Sequence, residues 1–169
     1  MSKKVMVVDN HSLIRQGLKL IFESIDNFEV AYEAENGEEA IEILKQKLPD
    51  VILLDIIMEN IDGFGVMAYI NQFCPEVPVV VLTTVDTGDN SKKMLALGAK
   101  GYLLKDASPD AIVNTVNNVL QGNTLLPDKI TEIMAENDNN EQKTDFNLDK
   151  MEIAILSDIS KGMRIKDIA

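Results

Sequence analysis

Several features that mark particular protein classes are scarce in this sequence. Cys74 is the only cysteine, which excludes an internal disulfide bond and fits a reducing compartment. His11 is the only histidine, so the residues that usually build a structural zinc site are missing. No apolar run approaches the length that crosses a membrane, and the start of the chain lacks the pattern of a signal peptide. We therefore expect a cytoplasmic protein without a membrane partner.

Basic residues are also few. The chain has 16 Lys and Arg residues against 28 Asp and Glu residues, a formal net charge of −12. Affinity for nucleic acid comes chiefly from basic side chains, and an acidic surface repels phosphates. We therefore expect this polypeptide to bind DNA poorly by itself. Its 169 residues are enough for one full domain and a smaller second one.

Short apolar runs alternate with amphipathic stretches through about residue 121. The pattern predicts strands near 4–8, 28–34, 51–55, 78–83 and 101–104. It predicts helices near 12–24, 37–47, 63–73, 89–97 and 108–120. Five repeats of a strand followed by a helix indicate an α/β domain with one parallel sheet covered on both faces.

The composition changes after this first domain, which we place at residues 1–122. Residues 123–146 read as a linker that includes a short helix, with an apolar stripe of Ile130, Ile133 and Met134, followed by a polar, charged stretch. Residues 147–169 have the apolar spacing of one helix and the start of another. The chain therefore predicts a complete α/β domain, a linker and an incomplete all-α segment.

Asp55 is the most informative residue, because it ends a short run of apolar residues typical of a parallel strand buried on both faces. Ligands of open α/β sheets bind at the carboxyl ends of the strands. Three other predicted strands also end in polar residues, which are Asp9 and Asn10, Thr83, and Lys105. We therefore expect these side chains to converge on one edge of the sheet.

The chemistry of this set favours phosphoryl transfer. Clustered carboxylates repel one another unless a cation joins them, and an oxygen-only set suits Mg²⁺. A carboxylate such as Asp55 can act as a nucleophile and form an aspartyl-phosphate, while Lys105 and Thr83 can contact the phosphoryl oxygens. Taken singly, each residue has an ordinary structural explanation, such as Asp9 or Asn10 capping the first helix. Their convergence favours the functional interpretation.

At these residues the chain resembles the receiver domain of bacterial two-component response regulators. The resemblance covers residues 3–122 and rests on VVDN at 7–10, VILLD at 51–55, DG at 62–63, VVVLTT at 79–84 and GAKGYLLKD at 98–106. It implies a flavodoxin-like sheet of strand order 2-1-3-4-5. It also implies that a sensor histidine kinase is the partner that phosphorylates Asp55.

The resemblance further implies a role for each matching residue. Mg²⁺ would be held by Asp9, Asn10, Asp55 and the backbone carbonyl of Ile57. Thr83 and Lys105 would contact the phosphoryl group, and Thr83 and Tyr102 would form the conformational switch. The protein would not be an enzyme acting on a separate substrate; at most it would phosphorylate itself from small phosphodonors and dephosphorylate itself. No organic cofactor is implied.

The segment from Phe146 to Ala169 resembles the opening of the helix-turn-helix domain in the NarL/FixJ (LuxR-type) class of response regulators. This resemblance implies regulation of transcription, with dimerisation on activation and binding of promoter DNA. The recognition helix that would enter the major groove is not in the sequence. We therefore expect promoter binding by the full-length protein but not competently by this truncated chain.

One departure from the family pattern leaves an alternative open. Asn10 stands where such receivers usually carry a second acidic residue, and an amide oxygen brings no charge to a metal. The chain could therefore be a receiver-like interaction module that signals without phosphorylation. Two other classes of protein, flavin proteins and aspartate-based phosphatases, fit the sequence less well. A flavin protein needs a hydroxyl-rich phosphate loop after the first strand, and an aspartate-based phosphatase needs an acid where His11 stands.

Overall fold

The fold is a parallel five-stranded sheet between two layers of helices. The computed structural model describes residues 1–84, 88–128, 131, 132 and 135. The strands are β1 (Lys3–Val8), β2 (Phe28–Ala34), β3 (Val51–Leu54), β4 (Val79–Thr83) and β5 (Gly101–Leu104). The helices are α1 (Ser12–Glu23), α2 (Gly37–Leu44), α3 (Gly63–Phe73), α4 (Gly88–Ala96) and α5 (Pro109–Leu120). The strand order is β2-β1-β3-β4-β5, so the predicted flavodoxin-like fold is confirmed.

The central strands are apolar on both faces because helices cover both. In β1, Val5 and Val7 pack in the cluster that includes residues of α1 and α5. Met6 and Val8, which alternate with them, pack in the cluster that includes residues of α2, α3 and α4. Strands β3 and β4 divide their residues between the same two clusters. This burial holds the carboxyl ends of neighbouring strands in a fixed register.

The helix boundaries agree with the predicted ones within one or two residues, except at the end of α2. This helix ends at Leu44, three residues before the predicted end at 47. Leu48 precedes Pro49, and the residue before a proline is sterically disfavoured in the helical conformation. At α5, the Ser108 hydroxyl accepts a hydrogen bond from the Ala111 N–H at 3.2 Å, as expected of a helix cap.

The residues that follow α5 lie along the outer edge of β5, which the sequence did not suggest. The Leu125 N–H donates to the Lys100 carbonyl at 2.9 Å, and the Tyr102 N–H donates to the Leu125 carbonyl at 3.3 Å. Leu125 thereby forms a parallel bridge with Gly101. Leu126 packs on the cluster under α2, α3 and α4. The start of the predicted linker is therefore part of the folded domain.

Other predictions for the second half of the chain stay predictions. Asp128, Thr131, Glu132 and Ala135 are helical, but the stripe residues Ile130, Ile133 and Met134 lie outside the described residues. The whole predicted helix-turn-helix segment, residues 147–169, also lies outside them. Among the described residues, no helix combines the length and apolar character that crossing a membrane requires.

Candidate functional site

The two carboxylates of the site follow neighbouring strands. Asp9 comes directly after β1 and Asp55 directly after β3. The Asp55 N–H donates to the Val8 carbonyl at 2.9 Å, and the Asp9 N–H donates to the Ala34 carbonyl at 3.0 Å. The sheet register is thus continued by one residue beyond each strand. Both carboxylates are buried, with Asp9 2% and Asp55 3% exposed.

The Lys105 ammonium joins the two carboxylates. Lys105 follows β5, and its Nζ lies 2.7 Å from Asp9 Oδ2 and 3.1 Å from Asp55 Oδ2. Its side chain is only 6% exposed, so water screens this group of charges weakly. The structure therefore brings together three residues that are separated by up to 96 positions in the sequence, counted from Asp9 to Lys105.

The Asp55 carboxyl has a raised pKa. Burial is the largest cause, and the nearby Asp9 carboxylate adds repulsion. The Lys105 ammonium and the Ile57 N–H, which lies 3.4 Å from Asp55 Oδ1, act in the opposite direction and lower the pKa. Burial and like charge prevail. The Asp55 carboxylate therefore binds a proton, or another positive charge, more readily than an exposed aspartate does.

Asp9 is held in place from several directions. Its Oδ1 accepts a hydrogen bond from the His11 N–H at 2.8 Å and lies 3.0 Å from His11 Nδ1. Its backbone carbonyl accepts from Arg15 Nη1 at 2.7 Å. The alternative in which Asp9 or Asn10 caps α1 is wrong, because His11 occupies the cap position and no side chain makes the cap hydrogen bond. The Asp9 side chain faces the site instead.

His11 lines the edge of the site, with contacts that the sequence did not reveal. Its Nδ1 lies 3.3 Å from Lys105 Nζ in addition to its contact with Asp9. Its side chain is 59% exposed. The only signal in the sequence is its place two residues after the carboxylate that ends β1.

Thr83 and Tyr102 lie in the neighbouring strands β4 and β5. Thr83 ends β4 and is 1% exposed, and its backbone carbonyl accepts a hydrogen bond from the Lys105 N–H at 2.8 Å. Tyr102 in β5 is also 1% exposed, so its ring already lies in the core. The two residues occupy adjacent strands, as the predicted switch requires, but their roles stay predictions.

Asn10 and Ile57 lie at the outer side of the site. Asn10 is exposed beside Asp9, and Ile57 is 56% exposed two residues after Asp55. Both are therefore accessible from solvent. Their proposed contacts with a metal ion stay predictions.

The donor set fits a divalent cation. Ligand atoms of Asp9, His11 and Asp55 all lie within 4.8 Å of one another. In an octahedral Mg²⁺ site with bonds of about 2.1 Å, neighbouring ligands lie about 3 Å apart and opposite ligands about 4.2 Å apart, so modest side-chain movements would bring these atoms around one ion. Asp9 Oδ2 is buried, and the Lys105 ammonium lies 2.7 Å from it. The two carboxylates share this one ammonium, so they keep negative charge that suits a metal ion.

Gly63 holds the loop after β3 close to the site. Its N–H donates to the Ile56 carbonyl at 2.8 Å, and a Cβ at this position would collide with the Asp55 carbonyl oxygen. Asp62, which precedes it, caps α3 by accepting from the Gly65 N–H at 3.0 Å. The DG pair at 62–63 therefore positions the backbone of Asp55 and starts the next helix.

Comparison with known proteins matches this chain to response regulators and transcriptional regulators. The family model described as the response regulator receiver domain matches residues 5–117. Transcriptional regulatory protein YdfI of Bacillus subtilis (strain 168) is 36% identical over 170 residues, which cover 98% of this chain and 79% of that protein. The nitrate/nitrite response regulator protein homolog of Haemophilus influenzae is 32% identical over 166 residues, with coverage of 98% and 79%.

A solved structure with related sequence has the same fold. It is the NarL signal receiver domain from Mycobacterium tuberculosis, which is 33% identical and superimposes with a TM-score of 0.68. The match covers 72% of this chain and 98% of the other. The shared region is thus the α/β domain that contains Asp9, Asp55 and Lys105.

Proposed function

The chain belongs to the response regulator family of transcriptional regulators in two-component systems, and from this premise we propose that it accepts a phosphoryl group on Asp55 from a sensor histidine kinase. A carboxylate oxygen of Asp55 forms a bond to phosphorus while the phosphorus–nitrogen bond of the kinase phosphohistidine breaks, which leaves an aspartyl-phosphate and a free histidine. The observation that carries the proposal is the Lys105 ammonium, 3.1 Å from Asp55 and 2.7 Å from Asp9.

The surrounding residues stabilise the added charge. Lys105 is a buried ammonium already next to the nucleophile, so it can contact a phosphoryl oxygen without a large movement. Thr83, one strand away, supplies a hydroxyl donor to the same group. Because Asp55 is nearly inaccessible to water, these interactions are stronger than they would be on an open surface.

We further propose Mg²⁺ as the ion of this site, held by Asp9, Asn10, Asp55 and the Ile57 carbonyl. When bound, the ion would neutralise negative charge on the phosphoryl oxygens. Reaction on the protein itself, from the kinase or from a small phosphodonor, is the only chemistry proposed. We propose no separate substrate.

The output is a change of shape on the side of β5. A phosphorylated Asp55 draws Thr83 toward the new group, and the position of Tyr102 responds. The Tyr102 ring is buried in the structure, so the proposed exchange is between this position and one in which the ring is turned outward. Phosphorylation shifts the populations of the two states and promotes a homodimer, and a complete DNA-binding domain would then bind the promoter.

Phosphorylation by acetyl phosphate and Mg²⁺, followed by intact-mass measurement, tests the proposal. We expect the parent chain to gain one phosphoryl group and Asp55→Asn to gain none. Asp50→Asn is a matched control, because Asp50 lies at the opposite end of β3 and accepts a hydrogen bond from the Lys4 N–H at 2.6 Å. An unmodified parent chain, or equal modification of Asp55→Asn, would falsify the proposal.

Asn10 predicts a raised Mg²⁺ requirement. An amide oxygen brings no negative charge to the ion, and at the effective dielectric near a protein surface the loss of one charge can cost a few kcal/mol, roughly, before water and the amide dipole offset part of it. We expect Asn10→Asp to reach half-maximal phosphorylation at a lower Mg²⁺ concentration than the parent chain. Equal midpoints in a Mg²⁺ titration would refute this prediction.

Asn10 also supports a second candidate function, a receiver-like interaction module that signals without phosphorylation. The two functions differ in their dependence on Asp55. If the parent chain stays unmodified by acetyl phosphate and yet forms the same complexes as Asp55→Asn, the interaction module is the better description.

A further inference from the structure

The only histidine of the chain is directed into the predicted metal site. His11 Nδ1 belongs to the group of three ligand atoms that lie within 4.8 Å of one another, together with carboxylate oxygens of Asp9 and Asp55. The His11 backbone N–H donates to Asp9 Oδ1 at 2.8 Å, which fixes the turn that carries the imidazole. The ring is thus placed against the carboxylates by the main chain.

We propose that His11 is a nitrogen ligand of the divalent ion in this site, and that it raises the affinity of the site for Mn²⁺ or a similar first-row transition ion relative to its affinity for Mg²⁺. This inference rests on the proposed function only in taking Asp9 and Asp55 as the metal-binding carboxylates. Mg²⁺ prefers oxygen ligands and dehydrates reluctantly, whereas imidazole suits the transition ions. Because Asn10 is neutral, the site has one negative charge fewer than a site with an acidic residue at that position. A nitrogen ligand can compensate for the weaker binding only with metal ions that bind nitrogen well.

The contacts of the imidazole support this assignment. Nδ1 lies 3.0 Å from Asp9 Oδ1 and 3.3 Å from Lys105 Nζ. An ionised carboxylate only accepts hydrogen bonds, and an ammonium only donates them. One nitrogen cannot donate to the first and accept from the second at the same time. A cation between Nδ1 and the carboxylates satisfies the lone pairs of all of them.

The centre of the cluster already attracts positive charge. The Lys105 ammonium lies 2.7 Å from Asp9, 3.1 Å from Asp55 and 3.3 Å from His11, so it contacts one atom of each proposed ligand. Asp9 Oδ2 is buried, and its partner is this one ammonium at 2.7 Å. One ammonium balances only one of the two carboxylate charges, which leaves negative charge for a metal ion to neutralise.

Pulsed electron paramagnetic resonance of the untagged chain with Mn²⁺ tests the proposal directly. Because the chain contains one histidine, an imidazole nitrogen coupling to Mn²⁺ can only come from His11. We expect this coupling in the parent chain and its loss in His11→Ala, with Mn²⁺ still bound through the carboxylates. Mn²⁺ bound to the parent chain without the nitrogen coupling, or no Mn²⁺ binding at all, would overturn the proposal.

Binding titrations give an independent measurement of selectivity. The free Mn²⁺ signal, recorded with and without competing Mg²⁺, yields the ratio of the two affinities in the parent chain and in His11→Ala. We expect the substitution to change this ratio against Mn²⁺ by roughly tenfold, the lower end of what losing even a residue behind a ligand costs in metal affinity. An unchanged ratio would contradict the assignment. Failure of Asp55 phosphorylation would instead count against the proposed function, because neither metal measurement depends on it.

Discussion

At the scale of single residues, the site depends on a balance between burial and charge. Two buried carboxylates, Asp9 and Asp55, share one buried ammonium, Lys105. The surplus negative charge raises the pKa of Asp55 and disfavours its ionised form in the folded protein. The arrangement therefore lowers stability, and it keeps a carboxylate in place for the cation and the phosphoryl group that we propose.

Asp55→Asn is expected to raise the free energy of unfolding at pH 7.5. The folded-state pKa of Asp55 lies above the ordinary value of 3.8, so the protonated side chain contributes favourably to the free energy of unfolding. This contribution is complete below pH 3.8 and is lost as the pH rises through the raised pKa. The neutral amide avoids this loss. The gain should therefore shrink as the pH is lowered toward 3.8.

Urea unfolding of both chains over this pH range is the measurement. The Asp50→Asn control should show no such gain, since Asp50 lies near Lys3 and Lys4 at the other end of the sheet. An Asp55→Asn variant that is less stable than the parent chain at pH 7.5 would contradict the role given to burial and repulsion.

Gly63→Ala is expected to destabilise the fold and to impair phosphorylation of Asp55. The added Cβ would meet the Asp55 carbonyl oxygen and lie 2.6 Å from Ile56 Cα, and both are backbone atoms that cannot rotate away. Overpacking of this kind costs about 1–3 kcal/mol. Urea unfolding gives the free energy, and acetyl phosphate labelling gives the effect on the site.

Gly17→Ala is the matched control for this prediction. Gly17 lies within α1, and a Cβ there would meet no atom within 4 Å. Alanine in a helix interior is more favourable than glycine by about 0.5–1 kcal/mol. We therefore expect Gly17→Ala to be slightly more stable than the parent chain. Equal losses in the two variants would show that Gly63 has no special role.

At the scale of elements, the edge of β5 is partly covered by the residues that follow α5. Leu125 pairs with this strand, and Leu126 lines a cavity of about 330 Å³ together with Tyr102. An open strand edge is a template for unwanted pairing, and this short segment covers part of it. The segment also connects the strand of the proposed switch to the rest of the chain.

Leu126→Ala is expected to lower the free energy of unfolding by about 1–2 kcal/mol. This loss is smaller than the roughly 2–5 kcal/mol typical of a fully buried leucine, because Leu126 is partly exposed. The Leu125 amide should exchange with solvent faster in this variant, since its hydrogen bond to Lys100 depends on the docked segment. Hydrogen exchange and urea unfolding measure the two effects. Leu13→Ala, at a position 78% exposed, should stay within about 0.5 kcal/mol of the parent chain. Equal effects of the two substitutions would contradict the docking of this segment.

At the scale of the whole molecule, the sequence predicts the sheet well because its pattern is regular. Apolar runs that alternate with amphipathic stretches predict a parallel sheet, and the resemblance supplies the strand order. The convergence of Asp9, Asp55 and Lys105 follows, because the carboxyl ends of parallel strands meet at one edge. The periodicity is contained in this one sequence, whereas the strand order comes from the resemblance to the family.

Other features depend on contacts that periodicity does not specify. The direction of the His11 ring follows from a turn in which Asp9 Oδ1 accepts the His11 N–H. Leu125 pairs with β5 through a single bridge to Gly101. The segment that contains it, between Gly122 and Pro127, is too short to show an alternating apolar pattern. The His11 contact belongs to a local turn that the apolar pattern does not describe, whereas the Leu125 bridge is set by tertiary structure.

Reduction of the phosphorylated chain with borohydride, followed by peptide mapping, tests the phosphoacceptor site most directly. An acyl phosphate on aspartate is reduced to homoserine, whereas phosphohistidine is not. After acetyl phosphate and Mg²⁺ treatment of the folded chain, we expect homoserine at position 55, together with intact His11. Homoserine at a different aspartate, or a stable phosphoryl group that resists reduction, would contradict the assignment of Asp55.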